Sequence, residues 1–180
     1  MQRLHPDTLS ALATDVRRPV YDRVALVTGI VHLGLGAFHR AHQAVYTEDA
    51  IECDGGDWGI VGVSLRSAAV AQQLNPQSGL YSVWSEDGES SEVRVIGAVQ
   101  QVLVAGDELE QVVAQLASPG IRIVTLTITE KAYLVAQDGC SLDIDDPALA
   151  ADLASPGAPT TAIGVLALGL AGPALLRSQL

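Results

Sequence analysis

Length, composition and charge exclude several classes of protein at the outset. The chain has 180 residues, of which 48% are hydrophobic, so it is long and apolar enough for a well-buried domain and is not a disordered tail. Ten Lys and Arg residues against 21 Asp and Glu residues give a net charge of −11. Because this charge repels phosphate backbones and anionic lipids, we expect no nucleic-acid partner and no membrane partner.

The sequence also predicts a cytoplasmic location. Residues 1–22 mix Arg, Asp and Pro and lack the apolar core of a secretory signal. Cys53 and Cys140 lie far apart, in no metal-binding or redox spacing, which is typical of unpaired thiols in a reducing compartment.

The most informative segment is an apolar strand at 29–33 that is followed by a glycine turn and then a helix. This order opens a Rossmann unit, in which glycines let the backbone approach a pyrophosphate. Gly34 and Gly36 occupy the first two glycine positions of the dinucleotide fingerprint, and His39 stands at the third. A turn that binds no ligand is the alternative, but the strand and the helix around it favour nucleotide binding.

The rest of the chain alternates strands and helices. We predict strands at 58–65 and 121–128, helices at 36–54, 67–74, 107–116 and 159–170, a hairpin at 80–84 and 93–96 around the acidic turn 86–89, and an acidic loop at 143–152. This order predicts an α/β fold, a Rossmann-like, doubly wound and mostly parallel sheet with an inserted β-hairpin. Residues 1–28 form a polar lead-in, with a short helix near its start, and residues 29–180 form the NAD(P)-binding domain.

The end of the second predicted strand bears on the choice of cofactor. A carboxylate for the adenosine ribose is usual there, but residues 65–69 contain none. Arg66 could instead pair with the 2′-phosphate of NADP, with Ser67 as a further donor. The sequence favours equally the alternative that Arg66 is a solvated arginine on a helical turn and contacts no ligand.

Further candidates flank the turn and the last strand. His39 and Arg40 would orient phosphate or cap the glycine turn, and the histidine spacing does not favour a metal site. Glu130 and Lys131 follow the strand at 121–128, at the edge where ligands of open α/β sheets bind. A carboxylate there can relay protons, so Glu130 is the candidate catalytic residue, whereas charged residues at a solvated strand end are the alternative.

These residues give the chain a resemblance to the mannitol dehydrogenase family of polyol-specific long-chain dehydrogenases, which includes fructuronate reductases and arabinitol dehydrogenases. The matching segments are IVHLGLGAFHRAHQ (30–43), WGIVGVSLR (58–66), QSGLY (77–81), TLTITEKAY (125–133), LDIDDP (142–147) and PTTAIG (159–164). The resemblance implies an NAD- or NADP-dependent, metal-independent interconversion of a sugar alcohol and a ketose, or of a hexonate and a ketohexuronate. It also places Glu130 beside the reaction centre.

The candidate cofactor-binding residues are Gly34, Leu35, Gly36, Ala37, Phe38, His39, Arg40, Arg66 and Thr127. Of these, the resemblance implies that Gly34, Gly36, Phe38, His39 and Arg40 line the cofactor pyrophosphate. The family often has an aspartate shortly after Leu65 and Arg66, where this chain has alanines, so NAD and NADP both stay open.

The chain departs from the family in length. Family members carry a mostly helical second domain with a catalytic lysine in a Lys-x-x-x-x-Asn-x-x-His motif, and this sequence has no such motif. We therefore expect the nucleotide-binding half of the enzyme, as a truncated gene product, an expressed domain or one subunit, and little or no turnover by this chain alone. The alternative function is a non-catalytic dinucleotide-binding module that senses NAD(P)H or docks to a partner chain.

Overall fold

The computed structural model describes residues 3–88 and 90–172. Its strands are β1 (Thr28–Leu33), β2 (Gly59–Ser64), β3 (Tyr81–Asp87), β4 (Ser90–Ile96), β5 (Val99–Val104) and β6 (Ile123–Leu126). Its α-helices are α1 (Ala37–Ala41), α2 (Gln43–Asp54), α3 (Ala69–Leu74), α4 (Ala105–Leu116), α5 (Pro147–Ala154) and α6 (Ala162–Ala171). Short 3₁₀ helices lie at Pro6–Ala11, Asn75–Gln77 and Glu130–Tyr133.

Four parallel strands form the central sheet in the order β5-β2-β1-β6. This is the 3-2-1-4 order of a Rossmann sheet once β3 and β4 are set aside. Those two strands pair antiparallel and form a separate hairpin, which lies between β2 and β5 in the sequence. The predicted fold class is therefore confirmed, including the inserted hairpin.

Helices cover both faces of the sheet because the central strands are apolar on both sides. All six residues of β2 are buried. One face, with Ile30 and Ile60, packs against α2 and α3, and the other, with Val31 and Val63, packs against α4 and α6. Because the four strands are parallel, their carboxyl ends lie at the same edge of the sheet.

Glu48 of α2 ties the hairpin to the sheet. Its side chain is fully buried, and one carboxylate oxygen accepts hydrogen bonds from Gly97 N at 2.8 Å, Ala98 N at 2.6 Å and the Tyr21 hydroxyl at 2.9 Å. Burial raises the pKa of Glu48, against the lowering effect of these three donors. The carboxylate thus fixes the two residues that connect β4 to β5.

The structure differs from the predicted secondary structure in three places. The helix expected over 36–54 is divided at His42, where the backbone leaves helical geometry, into α1 and α2. Strand β5 was not predicted. The acidic loop expected at 143–152 contains α5, because Asp146 caps its first turn by accepting from Ala148 N at 2.8 Å.

The predicted domain end at 173–180 and Glu89 of the predicted acidic turn lie outside the described residues. Within the described ranges, no helix is long and apolar enough to cross a membrane.

Candidate functional site

The glycine turn lies at the carboxyl end of β1. Gly34 has a φ of +93°, and a β-carbon there would lie 2.6 Å from the Thr127 carbonyl oxygen. Its carbonyl accepts hydrogen bonds from Gly36 N at 2.6 Å and from the Thr127 hydroxyl at 2.7 Å. Only glycine satisfies both the positive φ and the close approach of the neighbouring backbone.

Gly36 differs from Gly34 because its surroundings are open. Its φ is −78°, and a β-carbon there would meet only the Gly34 carbonyl oxygen, at 3.7 Å. Gly36, Ala37 and Phe38 are all exposed. The absence of a side chain at Gly36 therefore keeps clear the surface above the start of α1.

Leu35 and Arg40 stabilise the turn, Leu35 by packing on β2 and Arg40 by a hydrogen bond to the turn backbone. Leu35 is buried, and a β-carbon on Gly62 of β2 would lie 2.6 Å from its Cδ2 atom. Arg40 Nη1 donates to the Leu35 carbonyl at 2.7 Å, and the Tyr81 hydroxyl donates to the Arg40 carbonyl at 2.8 Å. Arg40 therefore contacts the turn directly, while a role in orienting phosphate stays a prediction.

His39 lies beneath the turn, where its ring stacks on the ring of His32 from β1. The ring centroids are 3.6 Å apart, and neither residue has exposed surface. Both ring nitrogens of His39 lack a hydrogen-bond partner among the described residues. In this structure His39 has no exposed surface, and its contribution to a pyrophosphate site stays a prediction.

Burial keeps both rings neutral and makes the fold sensitive to acid. Desolvation lowers the pKa of His32 to about 4 and that of His39 to about 3, with the neighbouring His32 and Arg40 lowering the latter further. Both values lie below 6.5, the ordinary value. The stability that the neutral, buried rings contribute is therefore fully present above pH 6.5, falls as the pH drops below that value, and is fully lost once the pH has passed the folded-state pKa values.

We expect the free energy of unfolding to fall by about 1.4 kcal/mol per pH unit for each histidine, once the unfolded state binds both protons. His39→Phe keeps an aromatic ring against His32 and removes one titrating group. Urea unfolding between about pH 6 and pH 5 should therefore show a smaller pH slope in this variant. Equal slopes in the two proteins would contradict the burial of a neutral His39.

A cleft of about 820 Å³ runs along the carboxyl edge of the parallel sheet. Leu65 and Arg66 after β2, Gly106 after β5 and Thr127 after β6 line it. Thr127 also donates to the Gly34 carbonyl, so this residue connects the cleft to the glycine turn, whose residues 34–38 do not themselves line the cleft. The structure thus brings together Arg66 and Thr127 of the predicted cofactor residues at one edge.

The two charged residues that the sequence predicts to handle protons follow β6. Glu130 and Lys131 begin the 3₁₀ helix Glu130–Tyr133, and both are exposed. Lys131 lines the cleft, whereas Glu130 does not. Among residues 3–88 and 90–172, no group of three or more His, Cys, Asp or Glu side chains is arranged to hold a metal ion.

Asp152 of α5 is a site-shaping residue that the sequence reading missed. It is 5% exposed, and its carboxylate accepts from Thr160 N at 2.7 Å, Thr161 N at 3.0 Å and the Thr161 hydroxyl at 2.6 Å. Burial alone would raise the pKa of Asp152, but these hydrogen bonds outweigh it and hold the pKa below its ordinary value. Asp152 thereby fixes the cleft wall at the start of α6.

Comparison with known proteins assigns the chain to a family. The sequence model of the mannitol dehydrogenase Rossmann domain matches residues 28–174. The chain belongs to the mannitol dehydrogenase family. The resemblance inferred from the motifs is therefore confirmed over most of the chain.

Relatives and a solved structure in this family agree with that assignment. The chain is 40% identical to D-mannonate oxidoreductase of Escherichia coli strain K12, over 84% of this chain and 32% of that protein. It is 40% identical to the polyol:NADP oxidoreductase of Gluconobacter oxydans, over 88% and 33%. A structure of Pseudomonas fluorescens mannitol 2-dehydrogenase, a ternary complex with NAD and D-mannitol, superposes with a TM-score of 0.88 at 37% identity, over 97% of this chain and 36% of that one.

The chain thus spans about a third of the length of the mannitol dehydrogenase relatives that it matches.

Proposed function

We propose that this chain is the NAD(P)-binding half of a polyol oxidoreductase. The observation that carries the proposal is the open glycine turn at the carboxyl end of β1, beside a cleft, in a domain that superposes on an NAD complex of mannitol 2-dehydrogenase. Dinucleotides bind at this edge of open α/β sheets.

The residues at this edge suit a dinucleotide. Gly36, Ala37 and Phe38 present exposed backbone to a pyrophosphate, and Gly36 leaves room for a close approach. Leu35 and Arg40 act through the shape of the turn, since the Arg40 guanidinium already binds the Leu35 carbonyl. When bound, the nicotinamide exchanges a hydride with a carbon of the substrate.

The substrate that we propose is a sugar alcohol with its ketose, or a hexonate with its ketohexuronate. The names of the relatives, which include a mannonate and a polyol oxidoreductase, support this class. We assign Glu130 to the rim of the reaction centre, where a carboxylate influences proton passage. A protein of these 180 residues is expected to bind dinucleotide without oxidising polyols at a measurable rate, because it contains no Lys-x-x-x-x-Asn-x-x-His motif.

The choice between NAD and NADP depends on Arg66. It is exposed and lines the cleft after β2, and residues 65–69 include no carboxylate to meet a ribose hydroxyl. A guanidinium beside the 2′-position stabilises a phosphate there through charge-assisted hydrogen bonds. We therefore assign Arg66 to the 2′-phosphate of NADP.

Arg66→Ala is expected to weaken NADPH binding roughly 10- to 100-fold and to change NADH binding less than about twofold. Fluorescence titration of each variant with both dinucleotides measures the effect. Arg122→Ala is the matched control, because Arg122 is also exposed but precedes β6, at the other end of the sheet. An NADPH affinity that Arg66→Ala leaves unchanged would establish the alternative, a solvated arginine.

The experiment that tests the function is a calorimetric titration of the 180-residue chain with NADH and, separately, with NADPH. Saturable 1:1 binding to either is the expected result. A chain that is folded by circular dichroism and binds neither would refute the assignment.

An apolar groove supports the second candidate, a non-catalytic module that docks to a partner. Phe38, Tyr46, Trp58 and Ile123 line a groove of about 520 Å³ beside α2. A dedicated module should be monodisperse in sedimentation, whereas half of an enzyme should self-associate through such a surface.

The two cysteines, Cys53 and Cys140, are exposed and unpaired, which supports the cytoplasmic location that we propose.

A further inference from the structure

A chain of hydrogen bonds runs beneath the glycine turn from α2 to β1. Gln43 Nε2 lies 3.1 Å from the Thr125 hydroxyl, and that hydroxyl lies 2.7 Å from His32 Nδ1. On the other side of the ring, His32 Nε2 lies 2.9 Å from the Thr127 hydroxyl and 3.3 Å from the Gly34 carbonyl oxygen. The Thr127 hydroxyl in turn lies 2.7 Å from the Gly34 carbonyl oxygen.

The donors and acceptors allow only one direction along this chain. The Gly34 carbonyl can only accept, so the Thr127 hydroxyl donates to it and must accept from His32 Nε2–H. The amide nitrogen of Gln43 can only donate, so the Thr125 oxygen accepts from it and its proton is free to point at His32 Nδ1. His32 is therefore a neutral ring with its proton on Nε2.

The surroundings leave this arrangement little freedom. The stacked ring of His39 covers one face of His32, and both residues are fully buried. The bonds join two strands and a helix, since His32 is on β1, Thr125 is on β6 and Gln43 begins α2. The four hydrogen bonds are part-buried, and a hydrogen bond with less contact to water is electrostatically stronger than an exposed one.

We propose that Gln43, Thr125, His32 and Thr127 are positioning residues that preset the glycine turn for a dinucleotide, an inference that rests on the proposed function. Gln43 and Thr125 act through the His32 ring, and His32 and Thr127 together fix the orientation of the Gly34 carbonyl, which both contact. The Gly34 carbonyl also accepts from Gly36 N at 2.6 Å, so its orientation sets the position of Gly36 and of the start of α1. A turn held in its binding conformation loses less freedom when the ligand binds.

The test combines a spectroscopic readout with binding. Long-range ¹H–¹⁵N correlation spectra of the 180-residue chain report which nitrogen of His32 carries the proton, and we expect Nε2. Thr127→Val removes only the hydroxyl and is expected to weaken binding of NADH or NADPH, whichever the unaltered chain binds more tightly, by about tenfold. Thr127→Ser restores the hydroxyl and should bind within about twofold of the original affinity.

Two further variants keep the test decisive. Thr125→Val interrupts the chain one step upstream and should also weaken binding, which a role of Thr127 in direct ligand contact would not explain. Thr47→Val is the matched control, because its hydroxyl bonds only the Gln43 carbonyl, within α2, at 2.9 Å. This control should bind dinucleotide with the original affinity.

The outcomes separate this inference from the proposed function. A His32 proton on Nδ1, or unchanged affinity in a folded Thr127→Val variant, would overturn the positioning role while dinucleotide binding stands. Should Thr127→Val fail to fold, unchanged affinity in Thr125→Val would overturn it. An Nε2 proton with no binding of either dinucleotide by the unaltered chain would overturn the proposed function and the positioning role with it.

Discussion

Gly36→Val is expected to abolish measurable binding of NADH and NADPH, a loss of more than about 100-fold, while the domain stays folded. The fold tolerates the new side chain because a β-carbon at Gly36 meets only the Gly34 carbonyl oxygen, at 3.7 Å, and the φ of −78° is open to any residue. The same branched side chain would stand where the pyrophosphate has to approach the turn. Calorimetric titration, with circular dichroism to confirm the fold, measures both parts of the expectation.

Gly120→Val is the matched control for this substitution. Gly120 is also exposed, and a β-carbon there would come no closer than 3.7 Å to Ser118 Oγ and the Thr28 carbonyl oxygen. It lies before β6, at the amino end of the sheet, so its variant should bind dinucleotide normally. Unchanged binding in Gly36→Val would mean that the glycine turn is not the pyrophosphate site.

Removal of the buried Glu48 carboxylate is expected to have the largest effect on stability. Glu48→Ala leaves Gly97 N, Ala98 N and the Tyr21 hydroxyl without their shared acceptor and opens a cavity between α2 and the hairpin. Unsatisfied buried donors and the lost packing together should lower the free energy of unfolding by roughly 3–5 kcal/mol. Urea unfolding at neutral pH measures this loss.

Glu48→Gln separates the effect of the charge from the effect of the hydrogen bonds. An amide oxygen can accept the same three bonds, whereas the amide nitrogen takes the place of Glu48 Oε1, which is buried and has no partner among the described residues, so stability at pH 7 should fall by less than in Glu48→Ala. Because the folded-state pKa of Glu48 is raised, the original protein loses stability relative to Glu48→Gln as the pH rises through that pKa. A difference that runs in the opposite direction with pH would show that the carboxylate is stabilised in its charged form.

The parallel sheet and its functional edge could be predicted because both follow from local patterns. Unbroken apolar runs indicate strands buried on both faces, and β1 and β2 are such strands. Parallel strands bring their carboxyl ends together, so the sequence already places Gly34, Arg66 and Thr127 at one edge. Their contribution to dinucleotide binding stays a prediction.

Strand β5 and helix α5 were not predicted because polar and acidic residues interrupt their apolar patterns. In β5, Gln100 and Gln101 interrupt the apolar pattern, yet Gln100 is held by the Thr28 hydroxyl at 2.6 Å from a distant strand. Helix α5 does carry a local signal, since Asp146 followed by Pro147 is a typical helix start. The acidic composition of that region concealed it.

The burial of His39 could not have been predicted from spacing. Its ring is buried because His32, seven residues earlier on β1, points to the same side of the turn and stacks on it. That contact is set by how α1 packs on the sheet, which no local pattern specifies. The same limit applies to Asp152, whose partners Thr160 and Thr161 precede α6.

The position of β6 also affects how the protein behaves in concentrated solution. Among residues 3–88 and 90–172, β6 pairs only with β1, so the backbone groups along its outer side have no strand partner. An unpaired edge with an exposed apolar residue such as Ile123 is a template for a strand from a neighbouring molecule. Oligomers that grow with protein concentration should therefore form through this edge as well as through the apolar groove, and Ile123→Lys, at a residue common to both surfaces, should reduce them.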